Sequence, residues 1–314
     1  MIKHAIMLCI LCFSLLSPLG AQATKEEAKK PATAHTVTVT HDLGTTEVPV
    51  QPKRVLVFDL GALDILDEAG IEVVGLGRGA TLPDYLSDYT DQSRFPLVGS
   101  LHEPDFETVF EMQPDLILIG ARAATSYEEL SKIAPTVHVA LPGSQYMQTL
   151  AKNIDIIGAI FPDTYEALRG TVASMEEEIQ SIKETVEERD LSALFLMVNA
   201  GSLSVFGQAS RFSLLYDDFG FAVSDASIQS STHGQSSSFE YLLQQKPDHL
   251  FVLDRASATG AQDAGVLAKA LLDNSLLKGM QTKITYVDPT SWYVASGGIN
   301  ATRTMIEDIR SALL

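Results

Sequence analysis

Cysteine is nearly absent from this chain: the two present, Cys9 and Cys12, both fall within the first 23 residues. That stretch has a cation at Lys3, the apolar run IMLCILCFSLL and an AQA ending at Ala23, the pattern of a secretory signal cleaved near Ala23. The run is too short for a comfortable bilayer span, and neither cysteine follows the small residues of a lipobox. Cleavage leaves a chain without cysteine, which excludes disulfides, thiolate metal sites and cysteine nucleophiles together.

Positive charge is also scarce. With Lys3 gone the 22 cations fall to 21 against 40 acids, a net charge of −19. Nucleic acid and anionic membrane are poor partners for such a surface. Screening beyond about 8 Å still lets a local arginine cluster dominate a cleft and take an anion. Catalytic signatures are missing too: there is no G-x-S-x-G, H-E-x-x-H, Walker loop or Rossmann glycine fingerprint in the body of the chain. Ser236, His233 and Asp254 could be assembled into a hydrolytic set, but almost any secreted chain offers one, and no enzyme is expected. Zinc capture is disfavoured by the absence of cysteine and the shortage of histidines at any one place.

What the chain does carry is a stretch written twice. FETVFEMQPDLILIGAR (106–122) and FEYLLQQKPDHLFVLDR (239–255) share Phe, Glu, Pro, Asp and the final Arg at a constant offset of 133. Each copy reads as a short helix stopped near Pro-Asp, then a buried strand, then an arginine. Ligands gather at the carboxyl ends of strands in parallel α/β sheets, so two such units suggest two similar lobes facing one anion. Two solvated arginines on look-alike βα units are the plainer alternative.

Along the chain, Thr24–Ala34 is polar and expected to be a disordered leader. His35–Val50 alternates around an Asp42–Gly44 turn and predicts a hairpin. Val55–Phe58 predicts a strand, Ala62–Ala69 a helix ended by Gly70, and Val73–Leu76 another strand. Beyond the first repeat, Tyr127–Ile133 and Val137–Ala140 continue the α/β alternation. From Gln148 to about Glu188 the pattern is helical, with Val172, Met175, Ile179, Ile182 and Val186 on one stripe. Such a helix is about 30 Å long and could join two lobes; periodicity is equally satisfied by a surface helix within one.

The second lobe begins at Ala193 with a strand and a hairpin through NAGSLSVFG. Ser210–Phe219 reads as a helix capped by Ser210, Ala264–Leu272 as helix, and Ile284–Val287 as strand. Asn300–Leu313 reads as a closing helix with Asn300 as its cap. A Ser-rich exposed loop precedes the second repeat copy.

Arg122 and Arg255 end matching strands, and Arg211 begins a helix; a guanidinium donates in pairs and stays charged, which suits anionic oxygens. His233 in the Ser-rich loop and Tyr293 in DPTSWYVASGG could meet at one rim, and imidazole with phenolate suits Fe(III). Trp292 could stack on an aromatic ligand or sit in the core. His102 lies loosely parallel to His233, but its spacing to the repeated Phe differs, and it is not assigned to iron.

The segments VFGQASRFSLLYDDFGF, THGQSSSFEYL, KPDHLFVLDR and VDPTSWYVASGG resemble the periplasmic ferric-siderophore-binding proteins of ABC import systems, in particular the catecholate, enterobactin-type subgroup. The resemblance implies a class III periplasmic binding protein architecture: two α/β lobes, each a mostly parallel sheet with flanking helices, joined by one long helix. Residues 35–147 would form the first lobe, 148–190 the linking region and 191–314 the second lobe. It implies that His233 and Tyr293 ligate the iron of a bound siderophore, and that Arg122, Arg211 and Arg255 surround the catecholate oxygens; Trp292 joins the ligand-binding candidates only on its aromatic face beside Tyr293, not through the resemblance. Glu107 and Glu240 match positions where related proteins dock on arginines of the membrane permease. No intrinsic cofactor is implied; the ferric siderophore is transported ligand, the partner is an inner-membrane ABC permease, and the protein is expected to be a periplasmic monomer. A hydroxamate siderophore or haem carried by the same fold is the competing cargo.

Overall fold

The central strands of this chain are short, buried, mostly branched and aromatic runs, and the residues that follow or end them carry the polar chemistry. The computed structural model describes residues 35–79, 81–139, 143–229, 231, 233–261, 265–273 and 279–314. The signal and leader expected over residues 1–34, and the element ends expected at Ala140 and Ala264, lie outside these.

The hairpin forms as expected, with β1 (Thr36–His41) antiparallel to β2 (Gly44–Pro49) and His41 opposite Gly44. Next come β3 (Val55–Phe58), α1 (Leu60–Glu68) and β4 (Gly75–Leu76). They are followed by α2 (Phe106–Glu111), β5 (Leu116–Ile119), α3 (Tyr127–Leu130) and β6 (Thr136–His138). These strands make one parallel sheet in the order β4-β3-β5-β6, and every side chain of β3 and β5 is buried, as a sheet covered on both faces requires. α1 starts two residues before the expected Ala62, because the Asp59 carboxylate caps it by accepting the Ala62 amide at 2.9 Å. β4 is shorter than Val73–Leu76 because its ladder with β3 spans only Leu56 and Val57.

Helices α4 (Tyr146–Ile160) and α5 (Tyr165–Glu188) follow. The second half holds β7 (Ser192–Asn199), β8 (Ser202–Phe206), β9 (Ala222–Val223), β10 (Gln235–Ser237), α6 (Phe239–Gln245) and β11 (His249–Asp254). It closes with α7 (Arg255–Thr259), α8 (Leu267–Leu272), β12 (Lys283–Tyr286), α9 (Pro289–Tyr293) and α10 (Ile299–Leu313). Its sheet is mixed. β7, β11 and β12 are parallel, β8 and β10 add an antiparallel edge, and β9 pairs with the start of β7. Among the described residues no helix is long and apolar enough to cross a membrane.

The stripe expected on α5 is buried at Val172, Met175, Ile179, Ile182 and Val186, and Leu168 extends it. At 24 residues α5 is about 36 Å long. It packs against both α4 and α10. Burying each of these side chains stabilises the packing by about 1.5–3 kcal/mol.

Two expectations are corrected. Ser210–Phe219 is not an α-helix: a turn at Ser210 leads into a single π-helical turn over Leu214–Asp218, with Phe219 N–H donating to Leu214 O at 2.9 Å. Phe212, Ser213, Leu214, Leu215, Tyr216 and Phe219 are all buried and only Arg211, Asp217 and Asp218 are half-buried, so the segment lacks the broad solvent face of an amphipathic helix and closes as a bulge. Asn300 does not cap α10. The N-cap is Gly298, and the capping carboxylate comes from Asp64 of α1, which accepts Asn300 N and Nδ2 at 3.0 Å each and Ala301 N at 2.9 Å. A Cβ on Gly298 would lie 2.1 Å from Asp64 Oδ2, so glycine is required there. The last helix is thus fastened to the first, and Arg303 adds a salt bridge to Glu68 at 2.7 Å.

Candidate functional site

The carboxyl ends of the parallel strands deliver the polar groups. β3 runs into Asp59, β5 into Gly120, Ala121 and Arg122, and β11 into Asp254 and Arg255. Arg211 precedes the π turn, His233 lies just before β10, and Tyr293 ends α9. Asp59, Arg122, Arg211, His233, Arg255 and Tyr293 all line one cavity of about 660 Å³. Chain segments from both halves of the molecule therefore share one wall, the placement expected for ligands of parallel sheets.

Tyr293 is the hub. Arg122 Nη2 and Arg211 Nη2 donate to its carbonyl oxygen at 3.0 and 2.7 Å, and Arg255 Nε donates to its phenol oxygen at 3.0 Å. The three guanidinium carbons lie 5.9, 4.6 and 5.7 Å from its ring centroid, within cation–π range. Arg255 is steadied further by Asn199 Oδ1 at 3.2 Å. Three cations gathered in one cleft repel each other and call for an anion. Arg211 is perturbed: burial, then the neighbouring Arg122 charge, push its guanidinium down to about 10, and its Nε has no hydrogen-bond partner among the described residues.

α9 fixes Tyr293 from behind. Asp288 caps it by accepting the Ser291 amide at 2.7 Å, and Trp292 Nε1 donates to Asp308 Oδ2 at 2.8 Å. The Trp292 indole is 1% exposed and packs on Phe195, with ring centroids 5.4 Å apart. Trp292 is therefore a core anchor and not a ligand-stacking residue, which corrects its place among the ligand-binding candidates; a fully buried ring has no free face to offer.

His233 is exposed on the cavity wall, and its backbone amide donates to Ser231 Oγ at 3.3 Å. His102 also lines the cavity from the first half of the chain, which its sequence spacing did not signal. Asp59 is a further wall residue that sequence reasoning missed; its one sequence signal was its place immediately after a buried strand. Glu107 and Glu240 are exposed in the first turns of α2 and α6, outside the cavity lining. The Glu240 carboxyl is held below its ordinary range by its own backbone amide and the Ser238 hydroxyl. Among the described residues no cluster of three or more His, Cys, Asp or Glu side chains could hold a metal ion.

Comparison with known proteins places this geometry in context. The profile of the family described as periplasmic binding protein matches residues 57–282. The petrobactin-binding protein YclQ of Bacillus subtilis is 37% identical over 320 residues, covering 99% of each chain. The ferric-anguibactin-binding protein FatB of Vibrio anguillarum is 29% identical, covering 97% of this chain and 96% of that one. The crystal structure of the periplasmic catecholate-siderophore-binding protein VctP from Vibrio cholerae superposes with a TM-score of 0.83 at 35% identity, covering 88% of this chain and all of that one.

Proposed function

Since the chain belongs to the periplasmic binding protein family, we propose that it is a periplasmic receptor that captures a ferric catecholate siderophore in this cavity and hands it to an inner-membrane ABC permease. It performs no reaction. The observation that carries this reading is the convergence of Arg122, Arg211 and Arg255 around Tyr293, a concentration of positive charge in a chain whose net charge is −18. Catecholate oxygens are anionic and paired, which is what guanidinium forks recognise; each charge-assisted bond contributes about 1.5–3 kcal/mol.

In this reading His233 and Tyr293 supply the last two positions around Fe(III) when the siderophore brings four oxygens. The Arg255 bond to the phenol oxygen suits a phenolate as well as a phenol. Residues 35–147 and 191–314 act as the two lobes, with 148–190 linking them, and the protein works as a monomer. Glu107 and Glu240, one exposed carboxylate near each half of the site, dock on the permease, favoured where they stand by the positive end of a helix. The names of the relatives, petrobactin, anguibactin and catecholate binders, support the cargo class.

Equilibrium titration of the purified protein with a ferric bis-catecholate, a ferric hydroxamate and haem, followed by intrinsic fluorescence, tests the cargo. Saturable binding of the catecholate well below the concentration needed for the other two is expected. Preference for the hydroxamate or haem would overturn the reading.

A further inference from the structure

Asp59 lines the cavity with a charge opposite to that of the guanidiniums. β3 and β5 are paired with Phe58 opposite Ile119, so the next residues, Asp59 and Gly120, meet at the strand ends. A Cβ on Gly120 would fall 2.0 Å from Asp59 Oδ2, and one on Gly61 would lie 3.2 Å from Oδ1. The backbone is thus kept bare around this carboxylate. Oδ1 accepts the Ala62 amide at 2.9 Å, and among the described residues no direct ion pair joins Asp59 to an arginine. Burial pushes its carboxyl up, while the Ala62 amide, then Arg122, and more weakly Arg211, hold it back. Asp254, at the corresponding edge of the other sheet, instead turns into its own loop, accepting Ala256 N, Ser257 Oγ and Gly265 N at 2.7–3.1 Å. It does not line the cavity.

We propose that Asp59 sets the charge of the ligand that the cleft accepts, favouring a monoanionic ferric bis-catecholate completed by Tyr293 over a trianionic ferric tris-catecholate. This inference rests on the ferric-catecholate reading above. With Asp59 ionised the wall carries three guanidiniums and one carboxylate, a net two positive charges. Fe(III) with two catecholates bears one negative charge and a Tyr293 phenolate adds another, which balances the wall. Fe(III) with three catecholates bears three negative charges and has no coordination position left for Tyr293. Its excess charge meets the Asp59 carboxylate at low local dielectric, where like charges repel strongly.

Asp59→Asn tests this. The amide oxygen can still accept from Ala62, so the helix cap persists; Asp59→Ser, which also caps, serves if the first variant is poorly folded. Dissociation constants of wild type and variant are measured for a linear ferric bis-catecholate and a ferric tris-catecholate at about pH 8, where free imidazole is neutral. In Asp59→Asn the preference for the bis-catecholate should fall by about tenfold or more, and the change should shrink at high salt. Binding of both complexes with an unchanged ratio would overturn this inference alone. Wild-type protein that binds neither would overturn the ferric-catecholate reading and the inference with it.

Discussion

The two copies of the repeat share a scaffold and differ at the tip. In each, a left-handed residue before the proline ends the helix, Gln113 at φ 46° and Lys246 at φ 45°, since a residue preceding proline is driven out of the helical region. In each, the aspartate after that proline holds the start of the neighbouring strand. Asp115 accepts Lys53 N and Arg54 N at 2.9 and 2.7 Å, and Asp248 accepts Ser192 N and Oγ at 2.8 and 2.6 Å. At the tip, β5 stops at Ile119 and Arg122 reaches the Tyr293 carbonyl, whereas β11 runs on to Asp254 and Arg255 reaches the phenol oxygen. One repeated arginine therefore holds the backbone of the hub, and the other holds its chemically active end.

Removing each arginine in turn separates the two copies most strongly. Arg255→Ala should weaken ferric bis-catecholate binding by about a hundredfold and shift its visible charge-transfer band, because it touches the proposed iron ligand. Arg122→Ala should cost about tenfold and leave the band in place, since Arg211 still holds the Tyr293 carbonyl. Equal losses with equal spectral changes would mean that the copies are equivalent.

The fastening of α10 to α1 comes next in size. Burial pushes the Asp64 carboxyl up to about 6, above the ordinary value of about 3.9 for an unfolded chain. A raised acid stabilises the fold fully below the unfolded value, and that contribution is lost as pH rises through the folded one. Wild type should therefore lose roughly 2–3 kcal/mol of stability from this group between about pH 4 and 6. Asp64→Asn should flatten that part of the urea-denaturation profile.

Smaller effects follow at the repeated aspartate. The Ser192 hydroxyl and amide hold the Asp248 carboxyl below its ordinary range, so its stabilisation is present above the unfolded value and fades as pH falls through the lower folded one. The group is exposed, and Asp248→Asn should cost under about 1 kcal/mol at neutral pH, with a matching cost for Asp115→Asn. Least visible in the isolated protein are Glu107→Ala and Glu240→Ala. Both should leave ligand affinity and melting temperature unchanged while each lowers siderophore-dependent uptake in cells; unaltered uptake in the double variant would remove them from the docking surface.

Much of the fold was legible because its signals are local. The hairpin, β3, β5 and the α5 stripe follow from alternation, apolar runs and helical spacing within single segments. The repeat likewise pointed to both arginines, but they follow strands of two separate sheets, and it is Tyr293, contacted by both, that brings them together. What sequence could not carry is contact between distant residues. Asp64 caps a helix 236 positions away, whereas the local sequence offers only Asn300. Trp292 looked available beside Tyr293, but neighbours on a short helix point to different sides, and its partners Phe195 and Asp308 are far off in the chain. Asp59 showed only as a residue after a strand, since its cradle comes from Gly120, just past the end of the adjacent strand.

The central claim, that Tyr293 and His233 complete the iron shell of a siderophore held by three arginines, is tested most directly by the visible spectrum of the ferric bis-catecholate complex. The spectrum is taken in wild type and in the His233→Ala/Tyr293→Phe double variant. The account predicts a band in the wild-type complex that is displaced from that of the free ligand, and its loss in the double variant together with weaker binding. An identical band and affinity in both proteins would contradict it.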